Sequence, residues 1–188
     1  CHPGSLAHLD PPPLTLSIAG DLIAGSLNNN LLANELSPSI SFLEEEMCKW
    51  FAKKLGYGEN SGGIAASGGT LNNLNALVTA RNIFGLETDP DASFIISKEA
   101  HVSFEKCRKI LGLRKENIIT VDTNPYGIMD CKKLEEELDN NLKIGKKVFA
   151  IVATLGTTIT GSIDPITDIS KLCKDRKIWL HIDGSIGG

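Results

Sequence analysis

A chain of 188 residues with 41% hydrophobic and 22% charged residues has the composition of a folded globular domain, long enough to bury a sizeable core. Its 19 Lys and Arg against 23 Asp and Glu leave a formal charge of -4, without the basic stripe that nucleic acid or an anionic membrane would require of a partner. No apolar run approaches the roughly 20 residues needed to span a bilayer, and the five scattered cysteines (Cys1, Cys48, Cys107, Cys131, Cys173) form no C-x-x-C pair, which points away from a disulfide framework or a zinc site and fits a reducing cytoplasm.

The start, Cys1-His2-Pro3, carries neither a signal peptide nor an initiator Met, and the text stops at Gly187-Gly188 directly after an apolar segment, so the expectation is a piece of a longer protein. Residues 1–40, with Pro11-Pro12-Pro13 and Asn28-Asn29-Asn30 around a short helix at Thr15 to Leu27, read as an irregular wrapping segment. From residue 41 onward the chain reads as part of a larger domain. Ser41 followed by Glu44 predicts a capping box, and Leu43, Met47, Trp50, Phe51 and Leu55 recur at helical spacing up to a stop at Gly56. A glycine-rich turn, Ser67-Gly68-Gly69-Thr70, then opens onto a helix carrying Leu71, Leu74, Leu77 and Val78 and ending near Gly85.

Thereafter strands and helices alternate. Strand Ser93 to Ser97, helix Ser103 to Leu111 and strand Asn117 to Val121 are followed by a helix from about Asp130 to Leu142. The apolar run Val148 to Ala153, a helix containing Ile166, Ile169 and Leu172, and a last strand Lys177 to Asp183 complete the series. This alternation predicts an α/β domain with a largely parallel sheet buried on both faces.

In open α/β sheets ligands bind beyond the carboxyl ends of the strands. Four groups fall there: His101, Thr157 with Thr158, Asp183, and the Gly68-Gly69-Thr70 turn at a helix N-terminus, whose free N–H groups and partial positive charge suit a phosphate. Each also has a plain structural reading: the glycines as an ordinary turn, His101 as a solvated loop residue, Asp183 as a cap, and the threonines as turn residues. Their joint placement on one edge favours a ligand site. A dinucleotide fingerprint fails on spacing, no Walker A lysine follows the glycines, and no G-x-S-x-G elbow occurs.

These segments resemble the pyridoxal-phosphate-dependent amino acid decarboxylases, the group that includes the glutamate, aromatic amino acid and diaminobutyrate enzymes. The resemblance is carried by His2-Pro3, Leu36-Ser37-Pro38 with Leu43-Glu44, Ser67-Gly68-Gly69-Thr70 with Asn72-Asn73, and Ser97 to His101 (SKEAH). Ala153 to Thr158 (ATLGTT), Asp164-Pro165 and Trp179 to Asp183 (WLHID) extend it nearly end to end, although the chain would cover only the middle of a family member. It implies the large domain of the fold-type-I pyridoxal-phosphate architecture, incomplete in this chain. Gly69 and Thr70 would then hold the cofactor phosphate and Gly68 would shape the turn. His101 would stack on the ring and assist substrate, Thr158 would lie beside it, and Asp183 would pair with the pyridine nitrogen, since a carboxylate there favours the protonated ring. His181 would face the same side as Asp183, in support of the site or as core packing.

The family commonly reads Asp-Ala-Ala where this chain reads Asp183-Gly184-Ser185, so Ser185 would take the place of an alanine against the ring face. The Schiff-base lysine lies beyond Asp183 in the family, so this chain by itself is expected to lack the covalent anchor and to be inactive. His8, Leu9 and Asp10, ahead of the three prolines, resemble the substrate-side segment of diaminobutyrate-type members. The implied activity is decarboxylation of an amino acid substrate to an amine by a homodimer. The alternatives are another lyase or a desulfurase on the same fold, or a non-catalytic dimerisation module.

Overall fold

The computed structural model describes residues 12–188, so His8, Leu9 and Asp10 lie outside the described residues. The chain divides into two compact units, residues 1–65 and 66–188. The first unit contains helices α1 (Thr15–Leu27) and α2 (Pro38–Lys54). α1 spans the residues expected of it. α2 begins three residues earlier than the expected capping box. Pro38 occupies its first turn, where a missing N–H costs nothing, and Ser41 donates its backbone N–H to the Ser37 carbonyl at 3.0 Å. Glu44 does not fold back onto Ser41; its carboxylate accepts from the Ala65 backbone N–H at 2.9 Å. The capping-box reading is corrected accordingly: the local pattern fits, but a proline upstream starts the helix first. Gly56, at φ +78°, follows the end of α2 as expected.

The second unit is a three-layer α/β structure. Its elements are α3 (Gly69–Ile83), β1 (Ala92–Ser97), α4 (Ser103–Ile110), β2 (Ile118–Val121), α5 (Cys131–Lys143), β3 (Lys147–Thr154), α6 (Ile166–Arg176) and β4 (Trp179–Asp183). The four strands pair in the order β2-β1-β3-β4, all parallel. This is the predicted α/β class. β3 reads as an unbroken apolar run because it lies inside the sheet with helices on both faces: seven of its eight residues are buried.

The side-chain alternation of the strands sorts the core into two layers. Ile95, Val121, Ile151 and Ala153 pack with Leu134 and Leu138 of α5 and Ile169 of α6. Phe94, Phe149, Ala150 and Val152 pack on the other face with Leu77 and Ala80 of α3 and Phe104 and Cys107 of α4. Phe149 and Ala150 share a face because the β1–β3 register slips between Ser93↔Val148 and Phe94↔Ala150, which makes Phe149 the extra residue of a bulge. Asp130 caps α5, accepting from the Lys132 and Lys133 backbone N–H groups at 2.9 and 3.3 Å.

Because every strand runs the same way, Ser97, Val121, Thr154 and Asp183 end on one edge, and α3 and α4 present their N-termini there. That edge carries the site. In the complete protein, Ile151→Ala should lower stability by about 2–5 kcal/mol, seen as a lower urea midpoint at unchanged slope. Lys132→Ala, on the exposed side of α5, should leave the midpoint nearly unmoved. Equal midpoints for the two variants would contradict this assignment of the core.

Candidate active site

The glycine turn leaves a helix N-terminus open. Gly68 sits at φ +148° and ψ 167°, a backbone region open essentially to glycine alone. Its carbonyl accepts from the Leu71 and Asn72 N–H groups at 3.1 and 3.2 Å. The N–H groups of Gly69 and Thr70 have no acceptor among the described residues, and α3 has no side-chain cap, so the positive end of the helix is open. A Cβ on Gly69 would lie 2.8 Å from the Ser185 hydroxyl oxygen, so glycine lets the turn approach the segment after β4.

Asp183 closes β4 and is 7% exposed. Its Oδ1 accepts from the Ser185 hydroxyl at 2.8 Å and from the Ser185 backbone N–H at 3.2 Å, and its Oδ2 accepts from Asn73 Nδ2 at 3.1 Å. Burial pushes this carboxyl up, but the donors, Ser185 hydroxyl first and Asn73 next, outweigh it and leave Asp183 below the ordinary aspartate value. It is therefore an ionised carboxylate at neutral pH.

His181, two residues earlier in β4, faces the same side, as the strand period requires. Its Nε2 lies 2.8 Å from Asn73 Oδ1, and its ring meets Phe104 edge-on with centroids 6.0 Å apart. Burial lowers its pKa, with the Asp183 charge opposing, so the ring is neutral at pH 7. His101 follows β1 in an exposed turn, where its Nδ1 accepts the Ser103 backbone N–H at 3.2 Å.

The two threonines after β3 differ. Thr157 is 3% exposed and spends its groups on its own loop: its hydroxyl lies 2.7 Å from that of Thr160 and accepts from the Ser162 N–H at 3.0 Å. Thr158 is half-buried and makes no hydrogen bond among the described residues. The loop is tied down by Asp164, 2% exposed, whose two oxygens accept from the Met129 and Thr154 N–H groups at 2.8 Å each. Burial raises the pKa of Asp164, and these two bonds offset only part of that.

Gly68, Gly69, Thr70, His101, Thr158, Asp183 and Ser185 thus all lie in the second unit, on or beside one sheet edge. Asn73 and Ser103 were not singled out from the sequence as site residues. Asn73, 4% exposed, joins Asp183, Ser103 and His181. The available signal was an asparagine one helical turn beyond Gly69, in a helix interior that asparagine does not favour.

A parallel α/β sheet with an open helix N-terminus and a buried, ionised carboxylate on the same edge defines a unit suited to a ligand that is anionic at one end and cationic at the other. Residues 7–188 match the model of the pyridoxal-dependent decarboxylase conserved domain, and the chain belongs to that family. It is 30% identical to an L-2,4-diaminobutyrate decarboxylase of Acinetobacter baumannii, over 100% of this chain and 41% of the relative. It is 34% identical to the acidic amino acid decarboxylase GADL1 of Xenopus tropicalis, over 92% and 35%. The crystal structure of the glutamate decarboxylase domain of a diaminobutyrate-pyruvate transaminase and L-2,4-diaminobutyrate decarboxylase from Vibrio parahaemolyticus superposes with a TM-score of 0.93 at 30% identity, covering 100% of this chain and 44% of that one. The chain spans about two-fifths of the length of these relatives.

The shifts of His181 and Asp183 contribute to the acid behaviour, alongside the lowered carboxyls of Asp89, Glu105 and Asp122. Each folded pKa lies below its unfolded value, so each group's contribution is complete above that unfolded value, about 6.5 for His and 3.9 for Asp, and is lost as pH falls through the folded one. Asp183→Asn should make the fall in urea midpoint below about pH 4 shallower while leaving the fall that begins near pH 6.5. A wild-type slope below pH 4 in that variant would contradict the assignment.

Proposed function

We propose that the complete protein is a pyridoxal-phosphate decarboxylase of a small acidic or amino-bearing L-amino acid. The observation that carries this reading is Asp183: a carboxylate held ionised in a buried setting, two residues from Ser185, which itself lies against the phosphate-type turn at Gly69. Sites of this kind persist where a cation must be met, since an unpaired buried charge is costly.

The residues fit the cofactor end to end. Gly69 and Thr70 offer two backbone N–H groups and a hydroxyl to the phosphate, and Gly68 makes the turn that exposes them. Asp183 would meet the pyridine nitrogen and favour its protonated form. Thr158, whose hydroxyl has no partner among the described residues, would contact the ring from beside it. His101, whose Nδ1 accepts the Ser103 backbone N–H, would cover the ring and assist with the substrate carboxylate. Ser185 has its hydroxyl engaged with Asp183, so it braces that carboxylate. When bound, pyridoxal phosphate supplies an electron sink for the pair left by departing carbon dioxide.

The substrate class rests on the named activities of the relatives, diaminobutyrate and acidic amino acid decarboxylation. His8, Leu9 and Asp10 belong to the same proposal as substrate-side residues, with residues 1–40 as a wrapping segment and 41–188 as part of the cofactor-binding domain. A cytoplasmic homodimer completes it. Among the described residues no helix is long and apolar enough to cross a membrane.

In the complete protein, Asp183→Ala should still bind inorganic phosphate at the Gly69 turn yet lose roughly 100-fold or more in decarboxylation, about 3 kcal/mol of barrier. Amine formation from 2,4-diaminobutyrate, aspartate and glutamate reads this directly. Near-normal turnover would remove Asp183 from the mechanism.

A further inference from the structure

A carboxylate offers about four lone-pair positions, two on each oxygen. In Asp183 both positions on Oδ1 are taken by Ser185, through its hydroxyl and its backbone N–H, and one on Oδ2 is taken by Asn73. Among the described residues a single acceptor position remains, on Oδ2. Its direction is set by where Asn73 stands.

Asn73 cannot turn freely. Its Nδ2 donates to two acceptors, the Ser103 hydroxyl at 3.0 Å and Asp183 Oδ2 at 3.1 Å, which uses both amide hydrogens. Flipping the amide would aim its oxygen at an ionised carboxylate. With Nδ2 fixed, Oδ1 is an acceptor, so the 2.8 Å contact with His181 requires His181 Nε2 to carry the proton. Ser103 is fully buried and extends the network outward, because its backbone N–H donates to Nδ1 of His101. One chain of hydrogen bonds therefore joins His101 to Asp183 through Ser103 and Asn73.

We propose that Asn73 is a positioning residue: its amide, held between Ser103 and His181, leaves Asp183 one open acceptor direction on Oδ2 for a pyridine nitrogen and fixes His181 as the Nε2–H tautomer. The proposal rests on the reading of Asp183 as the partner of that nitrogen. Asn73 touches neither ring nor substrate; it acts through the carboxylate it orients.

Two measurements test it. Neutron diffraction from crystals of the complete protein without cofactor should find the proton of His181 on Nε2 and the Asn73 amide hydrogens directed at Asp183 and Ser103. A bare Nε2, or a flipped amide, overturns the proposal whatever any variant does. The second measurement compares affinity for pyridoxal phosphate with that for its carbocyclic analogue, in which the ring nitrogen is replaced by CH. The wild-type protein should prefer pyridoxal phosphate by about tenfold or more, a preference that reports the Asp183 charge on the ring nitrogen. Asn73→Leu should lose most of that preference while its affinity for the analogue stays close to wild type. If Asn73→Leu weakens both ligands equally, the role of Asn73 is packing alone and the proposal fails. If the wild-type protein shows no preference, the reading of Asp183 fails instead.

Discussion

A carboxylate buried at the end of a central strand loses the water that would solvate it, and the protein must replace that water donor for donor. At Asp183 the replacement comes from two places far apart in the chain: Ser185, two residues on, and Asn73, 110 residues earlier. Bringing Asn73 there requires α3 to pack flat against the sheet, and packing α3 requires the Phe94, Phe149 and Val152 face that receives Leu77 and Ala80. The same placement sets the N-terminus of α3 on the strand-end edge. Core packing, the open glycine turn and the ionised carboxylate are thus consequences of one docking of one helix.

That docking also explains why the glycines are needed where they are. With α3 fixed by its core face, its first residue comes against the segment after β4, and a side chain at Gly69 would meet the Ser185 hydroxyl that braces Asp183. The other wall of the edge is held by a second buried carboxylate, Asp164, which fastens the loop carrying Thr157 and Thr158 to β3 and to Met129. The two aspartates differ in their donors: Asp164 accepts from backbone N–H groups, whereas Asp183 accepts from the side chains of Ser185 and Asn73 as well as from one backbone N–H.

Most of the architecture was legible in the sequence, because a parallel sheet covered on both faces writes itself as short apolar runs between amphipathic helices. β1, β3 and β4 carry that signal, and the polar residues just after them mark the edge where the site lies. The start of α2 was misread because Ser41 and Glu44 satisfy a local rule that Pro38, three residues upstream, pre-empts. Asn73 and Ser103 were harder to see for a different reason. Their partners are set by tertiary packing across 30 and 110 residues, and no local pattern encodes such a distance. Asp164 stood out only as part of a resemblance; its role depends on a loop closing back onto β3.

We propose that one edge of this sheet holds pyridoxal phosphate with its phosphate on the α3 N-terminus and its ring nitrogen on Asp183. A crystal structure of the complete protein with pyridoxal phosphate bound tests it most directly. Phosphate oxygens should lie within hydrogen-bond distance of the Gly69 and Thr70 N–H groups, and the ring nitrogen about 3 Å from Asp183 Oδ2. A phosphate seated elsewhere, or a ring nitrogen with no carboxylate beside it, would contradict it.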